Sequence, residues 1–210
     1  MNPLPASRYQ RTLFLLFLVF FLASCVNPPY LQFMLLQHSA TLLAVALLAW
    51  LSSKIEITRL SYTLIIVFLC LHTLGARYLY TYTPYDTWSE TLLGINITET
   101  FAFERNHYDR LVHFTYGLLL VIPILEYERR YLKLTTLVAA ILAVECILAT
   151  SAAYELLEWL VALIFAPDWA ESFLGLQGDP FDAQKDMALA TSGAILAVGV
   201  YLLSTRSGQK

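Results

Sequence analysis

Six stretches of this chain are apolar runs of membrane-crossing character, and nothing constrains its fold more. They lie at about 13–26, 31–51, 60–76, 111–125, 134–150 and 187–204, some short of the ~20 residues a helix needs to cross a bilayer. The apolar residues are bunched into these runs and not spread at the helical or strand spacing of a water-soluble fold. Composition agrees, since 58% of the residues are hydrophobic and 14% charged, against ~45–50% and ~25% in soluble domains. Backbone in hydrocarbon must satisfy its own hydrogen bonds. The expected fold is therefore all-α, a single membrane-embedded domain over 1–210 with about six transmembrane helices and the lipid bilayer as its first partner.

Orientation follows from Lys and Arg, which collect in cytoplasmic segments. With the N-terminus inside, nine basic residues fall on the cytoplasmic side and four (Arg77, Arg105, Arg110 and Lys185) on the other. Both termini are then cytoplasmic, with an outer loop at 77–110 and an outer interfacial segment at 151–186. Most carboxylates fall outside, a surplus that insertion rules do not explain. The net charge of −3 gives no reason to expect a nucleic-acid partner.

Cys25, Cys70 and Cys146 sit in separate apolar runs and read as small hydrophobes, forming neither metal motif nor disulfide framework. Leu22-Ala23-Ser24-Cys25 also has the form of a lipoprotein cleavage site. Its position in a run that continues to Asn27-Pro28-Pro29 favours a first span, with lipidation of Cys25 as the alternative.

The outward ends of the later spans carry polar pairs at helical spacing. Asp109, His113 and Tyr116 fall at i, i+4 and i+7, on one helix face. Asn106 reads as the cap of that helix. A histidine inside a span is expensive, and so a functional suspect. Asp182 and Asp186 repeat the i, i+4 spacing, and like charges so placed need a cation, an arginine or a proton between them. Asp179 before Pro180 reads as a helix cap. Glu155 and Glu158 form a third pair in a stretch from Leu134 to Phe165, which as one helix would rise roughly 48 Å and must tilt, emerge or fold back. Glu145 lies deeper, with no local partner. His72 reads equally as a core residue or a ligand. Tyr78, Tyr80, Tyr82 and Tyr154 read as an interfacial belt.

The run Asn106-His107-Tyr108-Asp109-Arg110 followed by His113-Phe114, with Tyr154-Glu155 to Trp159 and Phe173-Leu174-Gly175 to Asp186, resembles the YjdF family of bacterial inner-membrane proteins. The resemblance runs from about Asn27 to Met187 and implies a multi-pass protein of the bacterial inner membrane, without implying a reaction. Gln37 departs from it, standing where an acid is expected, and Leu79 interrupts a tyrosine-rich stretch. A looser similarity is to VanZ-like membrane proteins, which are associated with envelope and glycopeptide-antibiotic phenotypes.

Three readings follow. In the first, the polar cluster is an enzyme centre for a lipid or envelope-linked substrate, with Asp109, His113, Glu155 and Glu158 as catalytic groups. Asp182, Asp186 and His113 would then ligate a divalent metal, the one cofactor the residue types point to. In the second, the same residues clamp helices together, with Arg77 or Arg110 paired to Asp182 or Asp186. In the third, a small ion-coupled transporter relays charge through Glu145.

Overall fold

The computed structural model describes residues 7–207. Within them every regular element is helical and there is no strand. The long helices are α1 (Arg8–Ser24), α2 (Leu31–Lys54), α3 (Arg59–Arg77), α6 (Tyr108–Arg130), α7 (Thr136–Phe165) and α9 (Asp182–Ser207). Two short helices, α4 (Tyr85–Leu93) and α5 (Ile97–Thr100), fill the connection between α3 and α6, and α8 (Ala170–Phe173) lies between α7 and α9.

Five of the long helices, α2, α3, α6, α7 and α9, are long and apolar enough to cross a membrane. The sixth expected span is α1, whose 17 residues rise about 25 Å, short of a ~30 Å hydrocarbon core. Sequence windows underestimate most of the others. Polar first and last turns, rejected by a hydropathy reading, continue the helical hydrogen bonding. Thus α6 starts three residues before Leu111, and Asp109 lies inside it. The stretch after Leu134 neither folds back nor breaks. No glycine or proline interrupts 136–165, and α7 is one continuous helix of 30 residues.

The core is built on α6, α7 and α9. Val121 and Leu125 pack against Ala139, Ala140, Ala143 and Ile147, and against Ala190, Ala194 and Val198. Alanine on two of three faces lets the helices close up, which is how helices associate where lipid supplies no hydrophobic drive. The approach of α6 to α9 is closest at two glycines. A Cβ on Gly117 would lie 1.7 Å from the carbonyl oxygen of Ala190, and one on Gly193 would lie 2.2 Å from that of Phe114. A second cluster joins Phe17 of α1 and Leu48 of α2 to Tyr62, Ile66 and Leu69 of α3.

Arg77 does not reach the acidic cluster. Its guanidinium donates to the carbonyl oxygens of Ser24, Val26 (2.8 Å) and Asn27 (3.2 Å), satisfying carbonyls at the C-terminus of α1. The N-termini of α6 and α9 and the C-termini of α3 and α7 come together at one end of the bundle, which holds the polar residues described next.

Candidate functional site

At this end two loops are stitched together before α6 and α9 begin. Asn106 and Gln177 pair reciprocally, the amide of Asn106 donating to Gln177 Oε1 (2.9 Å) and Gln177 Nε2 to the Asn106 carbonyl (3.0 Å). Asn106 Nδ2 also donates to the Thr83 carbonyl (2.8 Å). Its Oδ1 accepts from the amide of Tyr108 (3.0 Å), a first-turn N–H, although the capping position itself is His107. Burial, with Arg110 and Arg105 nearby, holds His107 below its ordinary 6.5, and its ring stacks on Phe103.

Arg105, to which no local sequence pattern assigns a role, is the centre of this stitching. Its guanidinium donates to the carbonyls of Gly175 (2.6 Å) and Leu176 (3.1 Å) and to Asp182 Oδ1 (2.5 Å). Arg110 donates to Asp179 Oδ2 (2.6 Å) and lies 3.5 Å from Asp182 Oδ1. Asp179 therefore does more than cap, although its Oδ1 does accept from the amide of Phe181 (3.1 Å). The hydrogen bond from Lys185 holds the Asp179 carboxyl below its ordinary 3.8. This pair thus keeps its charge at neutral and mildly acidic pH, and contributes stability that is lost only as pH falls through the lowered value.

Inside this clamp the acids converge on His113. Its Nε2 lies 3.6 Å from Asp109 Oδ1 and 3.4 Å from Glu155 Oε1. Asp109, His113 and Asp186 each offer a ligand atom within 4.8 Å of the others. Bonds of ~2.0–2.2 Å to a small divalent ion require donors about 3–4 Å apart, so modest side-chain movement would close the set. Asp186 Oδ1, Asp182 Oδ2 and Glu155 Oε1 are all buried without a hydrogen-bond partner. Asp182 thus splits its oxygens, one on Arg105 and one unengaged, and is less free to ligate than Asp109.

Counting charge sharpens the point. Asp109, Glu155, Glu158, Asp179, Asp182 and Asp186 are six acids, against Arg105, Arg110 and Lys185 as three bases. Such a buried excess persists only if protons or a cation neutralise it.

Glu158 faces a different neighbour from Glu155. Its Oε1 accepts from Gln37 Nε2 (3.2 Å) and the Tyr154 hydroxyl (3.1 Å), tying α7 to α2. Gln37, which departs from the expected acid, here serves as a donor. Tyr154 and Tyr80 are inside the cluster and not in an interfacial belt. Leu79 and Tyr80 adopt positive φ (55° and 51°), turning the chain so that the Tyr80 hydroxyl meets His72 Nδ1. The ring fills the space beside Gly75, where a Cβ would lie 2.6 Å from it. Burial and the carboxylates of Asp109 and Glu158 push the Tyr80 phenol well above its ordinary value, so it stays protonated. Glu145 stands apart, exposed on α7.

Gly175 sets the position of Asp109. Its φ is +72° and a Cβ there would lie 2.6 Å from Asp109 Oδ2. Gly175→Ala should cost about 1–2 kcal/mol in left-handed strain alone and push the carboxylate off His113. A lower thermal midpoint in detergent checks this, and an unchanged midpoint would contradict it.

The family model described as "Predicted membrane protein (DUF2238)" matches residues 9–207, nearly the whole chain. The chain belongs to this family. A relative, the "Inner membrane protein YjdF" of Escherichia coli (strain K12), is 34% identical over 167 residues, covering 78% of this chain and 75% of its own length. The match agrees with a multi-pass membrane protein. No solved structure matches the chain.

Proposed function

We propose that this DUF2238 member is a bacterial inner-membrane enzyme that holds a divalent cation at Asp109, His113 and Asp186 and acts on a lipid or envelope-linked substrate. The relative named as an inner-membrane protein supports the location. The distribution of Lys and Arg favours placing the acidic end on the extracytoplasmic face.

The observation that carries the reading is the buried group Asp109, His113 and Asp186, whose ligand atoms lie within 4.8 Å of one another and whose Asp186 Oδ1 has no hydrogen-bond partner. Leaving a buried acceptor unsatisfied costs about 1–3 kcal/mol, more when it is charged. A cation held by the triad would engage Asp186 directly and offset the charge of the acids around it. Carboxylates with one imidazole suit magnesium, manganese or zinc. Such an ion supplies Lewis acidity toward a phosphoryl or carbonyl oxygen. Glu155, beside His113 and outside the triad, is placed to take or return a proton. Glu158, engaged by Gln37 and Tyr154, would position that helix face.

The clamp reading holds for a separate subset. Arg105 with Asp182, and Arg110 with Asp179, tie the loops, so Asp182 would act on the cation from outside its ligand set. The transporter reading depended on Glu145, whose exposed place on α7 gives it no support.

Metal analysis of purified protein, wild type beside His113→Ala and Asp186→Ala, tests the proposal. Stoichiometric metal in the wild type should fall more than about 100-fold in affinity in both variants, beyond the 10–100-fold typical of outer-shell changes. Equal metal content in all three proteins, with only stability lowered, would assign the cluster to clamping.

A further inference from the structure

A cavity of about 300 Å³ opens beneath the acidic cluster, between α2, α3, α6 and α7. Its inner wall is buried, formed by Leu69 and His72 of α3 and Val112 and His113 of α6. Its rims are exposed: Leu43 and Leu47 on α2, at 71% and 52%, and Leu157 on α7, at 58%. Above it, α2 and α7 are joined by Gln37 with Glu158 and by an apolar cluster that includes Phe33, Leu79 and Ala162. The space therefore has a roof and a closed back, and opens sideways between two helices that are long and apolar enough to cross a membrane.

The chemistry is graded along this space. At the roofed end stand Asp109, His113, Tyr80 and Tyr154; away from it the α2 wall is leucine and alanine, and the hydroxyls of Tyr116 and Thr150 on the facing walls are paired with each other. From Ala40 to Leu47 the lining descends about 10 Å along α2, which fits within one leaflet of a ~30 Å hydrocarbon core. A sideways opening at that depth meets lipid chains and not water. The volume stands at the low end of ligand pockets, ~300–1,000 Å³, and suits a stretch of one chain, not a whole two-chain lipid.

We infer that the cavity takes one apolar chain of a membrane lipid, admitted laterally between α2 and α7, with the polar group at that chain's head delivered to Asp109 and His113. This rests on the lipid-substrate reading above and adds the route and the single-chain limit. The substrate class is an amphiphile whose reacting bond lies where its polar head joins its chain.

The test uses full-length protein in vesicles of phosphatidylethanolamine and phosphatidylglycerol carrying a trace of phosphatidylglycerol with a diazirine midway along one acyl chain. After irradiation, labelled peptides are mapped by mass spectrometry. Label should concentrate on the cavity-lining positions Leu43, Leu47 and Leu157, and fall about tenfold in Ala44→Trp, which fills the cavity, and in Leu157→Trp, which blocks its rim. Leu42→Trp, exposed on α2 but off the cavity lining, should leave it unchanged. Leu157 is at the surface, so its variant decides the matter if Ala44→Trp fails to fold. Labelling spread evenly over the outward faces, and insensitive to both variants, would overturn the inference. Metal content measured on the same samples separates the readings: focused label without bound metal defeats the cation centre alone, and bound metal without focused label defeats the chain cavity alone.

Discussion

Replacing Gly117 with leucine is expected to separate α6 from α9 and dismantle the site at a distance. The obstruction would be backbone, because a Cβ at Gly117 lies 1.7 Å from the Ala190 carbonyl oxygen and 2.9 Å from the Ala194 nitrogen. No rotamer change relieves such a contact, so the helices must move. Overpacking typically costs about 1–3 kcal/mol, and this case belongs at or above the top of that range. For a chain of this size about 3 kcal/mol corresponds to a fall of roughly 6–12 °C in thermal midpoint. Asp109 and His113 ride on α6 and Asp186 on α9, so the ligand triad should come apart with the helices. Thermal unfolding in detergent checks the first effect and metal content the second. A variant with wild-type values for both would show that the two helices do not need the close approach.

Arg105→Ala is the second large effect. Arg105 and Asp182 have side chains only 9% and 1% exposed; removing one partner of a buried ion pair costs about 3–5 kcal/mol, and with Arg110 still 3.5 Å from Asp182 the loss belongs at the lower end of that range. The Gly175 carbonyl loses its donor as well, while that of Leu176 keeps only the Asp179 amide. Arg105→Lys should recover only part of the loss, since an ammonium cannot span the three acceptors that the planar guanidinium reaches. Full rescue by lysine would mean that charge alone matters there.

How much of this was visible in the sequence depends on whether the interaction is local. The spans are local, and every apolar run became a long helix. Their ends were misjudged where polar turns continue a helix, as at Asp109 in α6 and Glu155 in α7. The pairs Asp109/His113 and Asp182/Asp186 were legible because i, i+4 spacing fixes a shared face in any helix. Arg105, Gln37 and Gly175 were not, because each matters through a partner far along the chain: Asp182, Glu158 and Asp109. Tyrosines misled for a physical reason. A tyrosine near a span end suits an interface or a buried hydrogen bond equally well, and the positive φ at Leu79 and Tyr80 decided for the interior. Gly117 is the one glycine of α6, and although α9 carries small residues at i, i+4 spacing (Ala190/Ala194, Gly193/Ala197), nothing local says which neighbour they meet, so the tight crossing of α6 and α9 shows only in the fold.

The central claim is that His113 is a metal ligand together with Asp109 and Asp186. Pulsed electron paramagnetic resonance on manganese-loaded protein addresses it directly, since a directly bonded imidazole nitrogen imposes its nuclear modulation on the echo. Manganese is expected to bind with a nitrogen modulation that disappears in His113→Gln. Manganese that does not bind, or that binds without nitrogen modulation in the wild type, would contradict it.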